Sequence, residues 1–212
     1  MTHFIETYGQ MLIEAIFVHL AYVLTSVAAA TVAALVLGVL LSRVPGIARW
    51  VMPVISISQT IPGIVFIGIL YLYLGMEPIT AFTALAIYAV FPILKNTYAG
   101  LLGVEEKYKE AARGCGMNPR QILFKIELPL AMPTIFAGIR MSTVYTVSWA
   151  VLTAMIGLGG LGEFVYRGVS TNNSTLTVTG AIPAALMAIG LGALVDWIQK
   201  KLTPRGLQEV KE

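Results

Sequence analysis

Five long apolar runs constrain this chain more than any other feature. They cover about 17–41, 51–74, 78–102, 131–157 and 176–198. A bilayer core of about 30 Å needs roughly 20 apolar residues in helix, so each run is long enough to cross. Lipid offers no partner for backbone N–H and C=O groups, so runs of this length read as helices. Lys95 and Asn96 interrupt the third run, so its membrane part ends near Leu94, at 78–94, and the helix continues into water. Of the 212 residues, 57% are hydrophobic and 12% charged, against about 25% charged in a soluble domain. The predicted fold is all-α, a polytopic membrane protein of five transmembrane helices forming a single domain over 1–212. Ahead of the first run, Ile5, Tyr8, Leu12, Ala15 and Ile16 recur near the helical period. That spacing predicts an N-terminal interfacial helix.

Basic residues set the orientation, because they gather on the cytoplasmic side. The link between the first two runs holds Arg43 and Arg49. The long link after the third holds Lys95, Lys107, Lys109, Arg113, Arg120 and Lys125, and the tail holds Lys200, Lys201, Arg205 and Lys211. By alternation these segments share one side, which predicts an outer N-terminus and a cytoplasmic C-terminus. The opposite side holds Glu6, Glu14, Glu77 and Glu163 and one base, Arg167. The start lacks a basic stretch and a small-residue cleavage site, so no removable signal peptide is expected. The bases are spread over short loops, which argues against nucleic-acid binding. Cys115 is the single cysteine, so no intrachain disulfide is possible. His3 and His19 are too isolated for a metal site, and no cofactor is expected. No phosphate-binding loop of the G-x-x-x-x-G-K-[ST] type is present, so ATP would have to be handled by another chain.

The longest polar break, 103–130, carries its own punctuation. Val104 to Cys115 reads as a helix, with Glu105–Lys109 attractive and Glu106–Glu110 repulsive at i, i+4. Gly114 and Gly116 permit a sharp turn. Asn118-Pro119 reads as an N-cap with proline at the first helical position. A second helix follows through Gln121–Glu127, and Pro129 marks the approach to the fourth run. Small residues at Ala111 and Ala112 and a charge at Glu110 suit a docking element that needs close approach and a fixed register.

The same residues form the spaced pattern E-A-A-x3-G-x9-I-x-L-P, from Glu110-Ala111-Ala112 through Gly116 to Ile126-Glu127-Leu128-Pro129. This resembles the EAA loop of the membrane-spanning subunits of ABC importers. The resemblance implies a type I importer fold in which the loop is a cytoplasmic coupling helix seated in a cleft of an ATP-hydrolysing subunit. Carried over, Glu110, Ala111, Ala112 and Gly116 are contact residues, and Arg113, Met117 and Asn118 are their neighbours. Ser58-Gln59-Thr60-Ile61-Pro62-Gly63, Tyr88 to Leu101, Gly138-Ile139-Arg140 and Ile156 to Gly162 resemble the osmoprotectant branch, which imports glycine betaine, choline and carnitine. Lys95 and Leu158 depart mildly from it. Methionine-type importers share the loop and the glycine-rich segment, so an amino-acid importer is the alternative.

The resemblance further implies no enzymatic activity in this chain. The implied partners are two nucleotide-binding subunits, a second permease subunit (identical or related), an extracytoplasmic substrate-binding protein and the lipid of a bacterial inner membrane. No fused binding domain is expected. Quaternary ammonium groups are held by aromatic rings, so Tyr145 and Trp149, one turn apart, are candidate pathway residues. Gly159 and Gly160 are the others, since four glycines in Gly157 to Gly162 suit tight backbone beside a cavity. Arg140 is read as structural rather than pathway-lining.

Overall fold

The computed structural model describes residues 2–203, with side chains from Tyr8 onward, Ser58 excepted. Expectations placed on His3, Ile5, Glu6, Arg205 and Lys211 lie outside those described side chains. The elements are α1 (Thr2–Arg43), α2 (Pro45–Ser58), α3 (Gly63–Leu74), α4 (Pro78–Leu102), α5 (Glu106–Gly114), α6 (Pro119–Ile122), a π-helical turn (Leu123–Glu127), α7 (Leu128–Ala150), a 3₁₀ turn (Val151–Ile156), α8 (Leu161–Ser170) and α9 (Ser174–Leu202).

Among the described residues, four helical segments are long and apolar enough to cross a membrane: Tyr8–Arg43, Pro78–Leu102, Pro119–Ile156 and Ser174–Leu202. The run at 51–74 is not one helix. It is α2 and α3, separated by a break at 59–62. The reason is local and tertiary at once. Proline drives the residue before it out of the helical region, and here Pro62 is the N-cap of α3. The Tyr88 hydroxyl donates to the freed Ile61 carbonyl at 2.7 Å, and Gly63 leaves the space that the Trp149 ring fills. Pro53, Pro92, Pro133 and Pro183 stay inside continuous helices, so proline alone does not cause the break. Arg43 meets Glu127 at one end of the bundle, and Gly157 lies against Met76 at the other. The pair α2–α3 therefore carries the chain from one end of the bundle to the other.

The amphipathic lead-in is the first part of α1, not a separate helix in the interface. At 1.5 Å per residue α1 is about 63 Å long, well beyond a bilayer core. Its apolar side is occupied: Tyr8, Leu12, Ala15 and Ile16 pack on Leu161, Phe164 and Leu176 of α8 and α9. Within the bundle α4 lies between α1 and α7. Small residues let these helices approach, as expected where lipid supplies no hydrophobic drive between them. Ala30, Ala34 and Ala89 sit in the main core with Val23, Leu85 and Val147. Near Pro92, where the helix lacks an N–H, Ser142 Oγ reaches across from α7 to donate to the Ala89 carbonyl at 2.8 Å.

The glycine-rich segment makes the turn into α8. Gly157, Gly159 and Gly160 all have positive φ, a region that side-chain-bearing residues rarely adopt. Gly162 follows directly beneath the Val151 backbone, where an added Cβ would collide with the carbonyl. That obstacle is main chain and cannot rotate away. Gly162→Ala is accordingly expected to destabilise the protein by about 3 kcal/mol, at the upper end for overpacking. Thermal unfolding in detergent checks this; a wild-type midpoint would contradict the close approach.

Candidate functional site

The polar break folds as helix, glycine turn, helix. Glu105 has extended backbone and caps α5 rather than lying in it, so the expected Glu105–Lys109 pair does not form. Glu105 pairs instead with Lys107 at 2.6 Å. Glu106 collects two cations, Lys109 at 3.0 Å and Arg113 at 2.8 Å. Gly116 turns the chain at φ 77, and its N–H donates to the Arg113 carbonyl at 2.9 Å. Asn118 and Gln121 then form a reciprocal capping box, each side chain bonding the other's backbone N–H at 2.9 Å. Two orphan donors are satisfied in this way, which fixes the entry to α6.

This architecture sorts the candidate docking residues. Glu110, Ala111, Arg113, Gly116 and Asn118 are exposed, and Met117 is half-buried. Ala112 points inward and is only 4% exposed, so it supports the helix rather than presenting a surface. Below the helix, Val104 packs with Leu101, Ala131 and Ile135 on the ends of α4 and α7. The result is a rigid knob with Glu110 and Ala111 on its outer side.

Lys109, and secondarily Arg113, hold the Glu106 carboxyl below its ordinary value of 4.5. A carboxyl lowered in the folded state adds stability that is present above that ordinary value and lost as pH falls through the lowered one. The first turn of α5 is therefore expected to be pH-independent near neutrality and to loosen only in acid. Hydrogen exchange of the α5 amides reads this out. Glu106→Gln should remove the acid dependence, and retention of the dependence in that variant would contradict the assignment.

Sequence reasoning missed the pairing beneath the knob. Glu127, inside the I-x-L-P stretch, is 2% exposed and forms a two-pronged ion pair with Arg43, whose Nη1 lies 3.0 Å from Oε1. It closes the π-helical turn. In a regular α-helix Pro129 would clash with the Lys125 carbonyl, and the wider turn relieves that. The usable signal was a glutamate entering an apolar run opposite an arginine leaving another. Arg140 also has a partner that was not foreseen, Asp196 of α9, at 3.0 Å. This agrees with reading Arg140 as structural.

The candidate pathway residues separate. Trp149 stacks on Tyr88 with ring centroids 4.1 Å apart, and Tyr88 meets the edge of Phe66 at 5.2 Å. Tyr145 lies one turn earlier on α7 and is 52% exposed. Gly160 is elsewhere, buried beside His19, whose Nε2 donates to the Val147 carbonyl at 3.0 Å. Gly159 neighbours it in the turn. The structure thus brings Tyr145 and Trp149 together on α7 and sets the two glycines in the turn before α8.

With this geometry in view, the comparisons with known proteins are decisive. Residues 30–206 match the family described as "Binding-protein-dependent transport system inner membrane component". The chain belongs to that family. Among its relatives, the choline transport system permease protein OpuBB of Bacillus subtilis (strain 168) is 36% identical over 212 residues, covering 100% of this chain and 98% of the relative. The carnitine transport permease protein OpuCB of Listeria monocytogenes is 35% identical over 209 residues, covering 99% and 96%. The fold is similar to that of the MetNI methionine ABC transporter in an inward-facing conformation, with a TM-score of 0.83 at 24% identity, covering 94% of this chain and 99% of that one. Family membership makes the protein a multi-pass inner membrane transport component.

Proposed function

We propose that this chain is the membrane-spanning subunit of an ATP-driven importer for quaternary-amine compatible solutes such as choline, carnitine and glycine betaine. It forms half of the translocation pathway beside a second permease subunit. It receives solute from an extracytoplasmic binding protein and hydrolyses no ATP itself. Two nucleotide-binding subunits dock on the knobs of the two permeases, each through Glu110, Ala111, Arg113, Gly116, Met117 and Asn118. This orientation puts the α5 end in the cytoplasm, with the N-terminus outside and the C-terminus inside, as the basic residues favour.

The observation that carries the reading is the exposed helix α5, followed by the Gly116 turn and the capped entry to α6, in a chain that is similar over its whole length to a choline permease. ATP-driven closure of the docked subunits would push that helix and tilt the spans behind it. The test is co-expression with a candidate ATPase subunit and binding protein from the same genome, followed by reconstitution in proteoliposomes. The tagged chain is expected to retain the ATPase, and choline, carnitine or glycine betaine to raise ATP turnover. Stimulation by methionine but not by these amines would overturn the substrate assignment. Failure to retain any ATPase would overturn the importer reading.

A further inference from the structure

Beside Trp149 lies a shallow cavity of about 360 Å³, open on most of its outer side and lined by Gly63, Ile64, Ser148, Trp149, Leu152 and Met155. Resting on the function proposed above, we infer that this cavity is a transit site for the trimethylammonium group of the solute. Four features argue for it.

The indole is held in place before any ligand arrives. Tyr88 stacks on it, Phe66 braces Tyr88, and the Tyr88 hydroxyl is tied to the Ile61 carbonyl. The ring occupies the space that a side chain at position 63 would need. A group fixed in this way loses little rotamer entropy on binding.

The lining contains no charged side chain. A cation entering it meets no fixed positive charge among the lining residues. A carboxylate is likewise absent, so nothing holds the cation by ion pairing.

The chemistry of the group fits rings rather than hydrogen-bond acceptors. A quaternary nitrogen has no N–H to donate, and its charge is spread over apolar methyl groups. Aromatic faces attract such a cation, Trp most strongly. Trp149 is the one aromatic residue in the lining.

The expected attraction is modest, and that suits transit. A pathway site has to bind well enough to admit the solute and weakly enough to release it, the condition that also governs channels. The cavity also lies against the α2–α3 break, an irregular stretch of backbone between two apolar helices. Such backbone is tolerated where it is buried in protein or lines a cavity.

The experiment uses the reconstituted complex, with choline and its neutral carbon isostere, in which a quaternary carbon replaces the nitrogen. The chain has three tryptophans, Trp50, Trp149 and Trp197. Without binding protein, choline is expected to quench the tryptophan fluorescence saturably and the isostere to have little effect. The quench should vanish in Trp149→Phe and persist in Trp50→Phe and Trp197→Phe. In uptake assays Trp149→Leu is expected to lose about 10-fold in kcat/KM for choline, the scale of one desolvated cation–π contact, and Trp149→Phe less. Leu152→Lys, which places a like charge in the lining, should block choline uptake, whereas Leu152→Gln should not; this pair does not depend on how well Trp149 variants fold. Choline uptake at wild-type kcat/KM in both Trp149→Leu and Leu152→Lys would overturn the inference and leave the proposed function standing. Absence of any quaternary-amine uptake by the wild-type complex would instead overturn the function beneath it.

Discussion

Glu110→Arg combined with Ala111→Glu is expected to abolish uptake while the chain still inserts and folds. Both positions are exposed, and among the described residues Glu110 forms no ion pair within the chain. The substitutions therefore remove nothing that stabilises the subunit itself. At a docked surface the same changes place a reversed charge and a second carboxylate where small size and one negative charge are needed. Disrupting a central charged contact costs roughly 2–5 kcal/mol, or about 30-fold to several thousand-fold in affinity. Retention of the ATPase during purification and solute uptake read the two halves of this claim. Normal uptake with the ATPase in place would remove the docking role. A lowered unfolding temperature would show instead that the knob serves the fold.

Arg43→Ala is expected to be the most damaging single change to stability outside the glycines. It leaves the Glu127 carboxylate buried and uncompensated, a situation that typically costs 3–5 kcal/mol. Arg43 is itself about half exposed, with 48% of its side chain accessible, so the lower end, about 3 kcal/mol, is the expectation here. Glu127→Gln should cost clearly less, since a neutral amide is cheaper to bury and Arg43 can turn toward water. The double variant Arg43→Gln with Glu127→Gln should recover much of the loss, because two neutral amides can bond each other. Thermal unfolding in detergent ranks the three. If Glu127→Gln proves as harmful as Arg43→Ala, the damage does not come from an unpaired buried charge.

Most of the architecture could be read from the chain because lipid makes length and polarity decisive. Runs one, three, four and five lie in α1, α4, α7 and α9, but α1 starts at Thr2 rather than near residue 17, and run four passes into the 3₁₀ turn at Val151–Ile156. The Gly116 turn and the Asn118 cap were also legible, since each depends on local backbone chemistry alone. The break at 59–62 was not. The apolar pattern through 51–74 is continuous, and a proline such as Pro62 sits quietly inside helices elsewhere in this chain. What decides the break is Tyr88 and Trp149, which are distant in sequence.

The same limit applies to the docking loop. The residues of the knob were identifiable, but not which of them face outward. Moving the start of α5 past Glu105 shifted the ion pairs by a turn, and Ala112 rotated under the helix. The clamp between Arg43 and Glu127 joins residues 84 positions apart, and no local rule pairs them. Tyr145 and Trp149 were visible as aromatic residues one turn apart, but their separation from Gly159 and Gly160 depended on how α8 folds back.

From Pro119 to Ile156 the backbone is helical without interruption, 38 residues in all, or about 57 Å of axial rise. One tip of this rod is the capped corner where α5 hands over to α6. The other runs alongside the indole cavity at Leu152 and Met155. A shaft of this kind has almost no slack: rocking it by a few degrees at the corner swings the far tip by several ångströms. The wide π turn interrupts its regular α-helical ladder near the corner, and Arg43 grips the shaft there. On the function proposed above, arrival of solute and the stroke of a docked ATPase would both be referred to this turn.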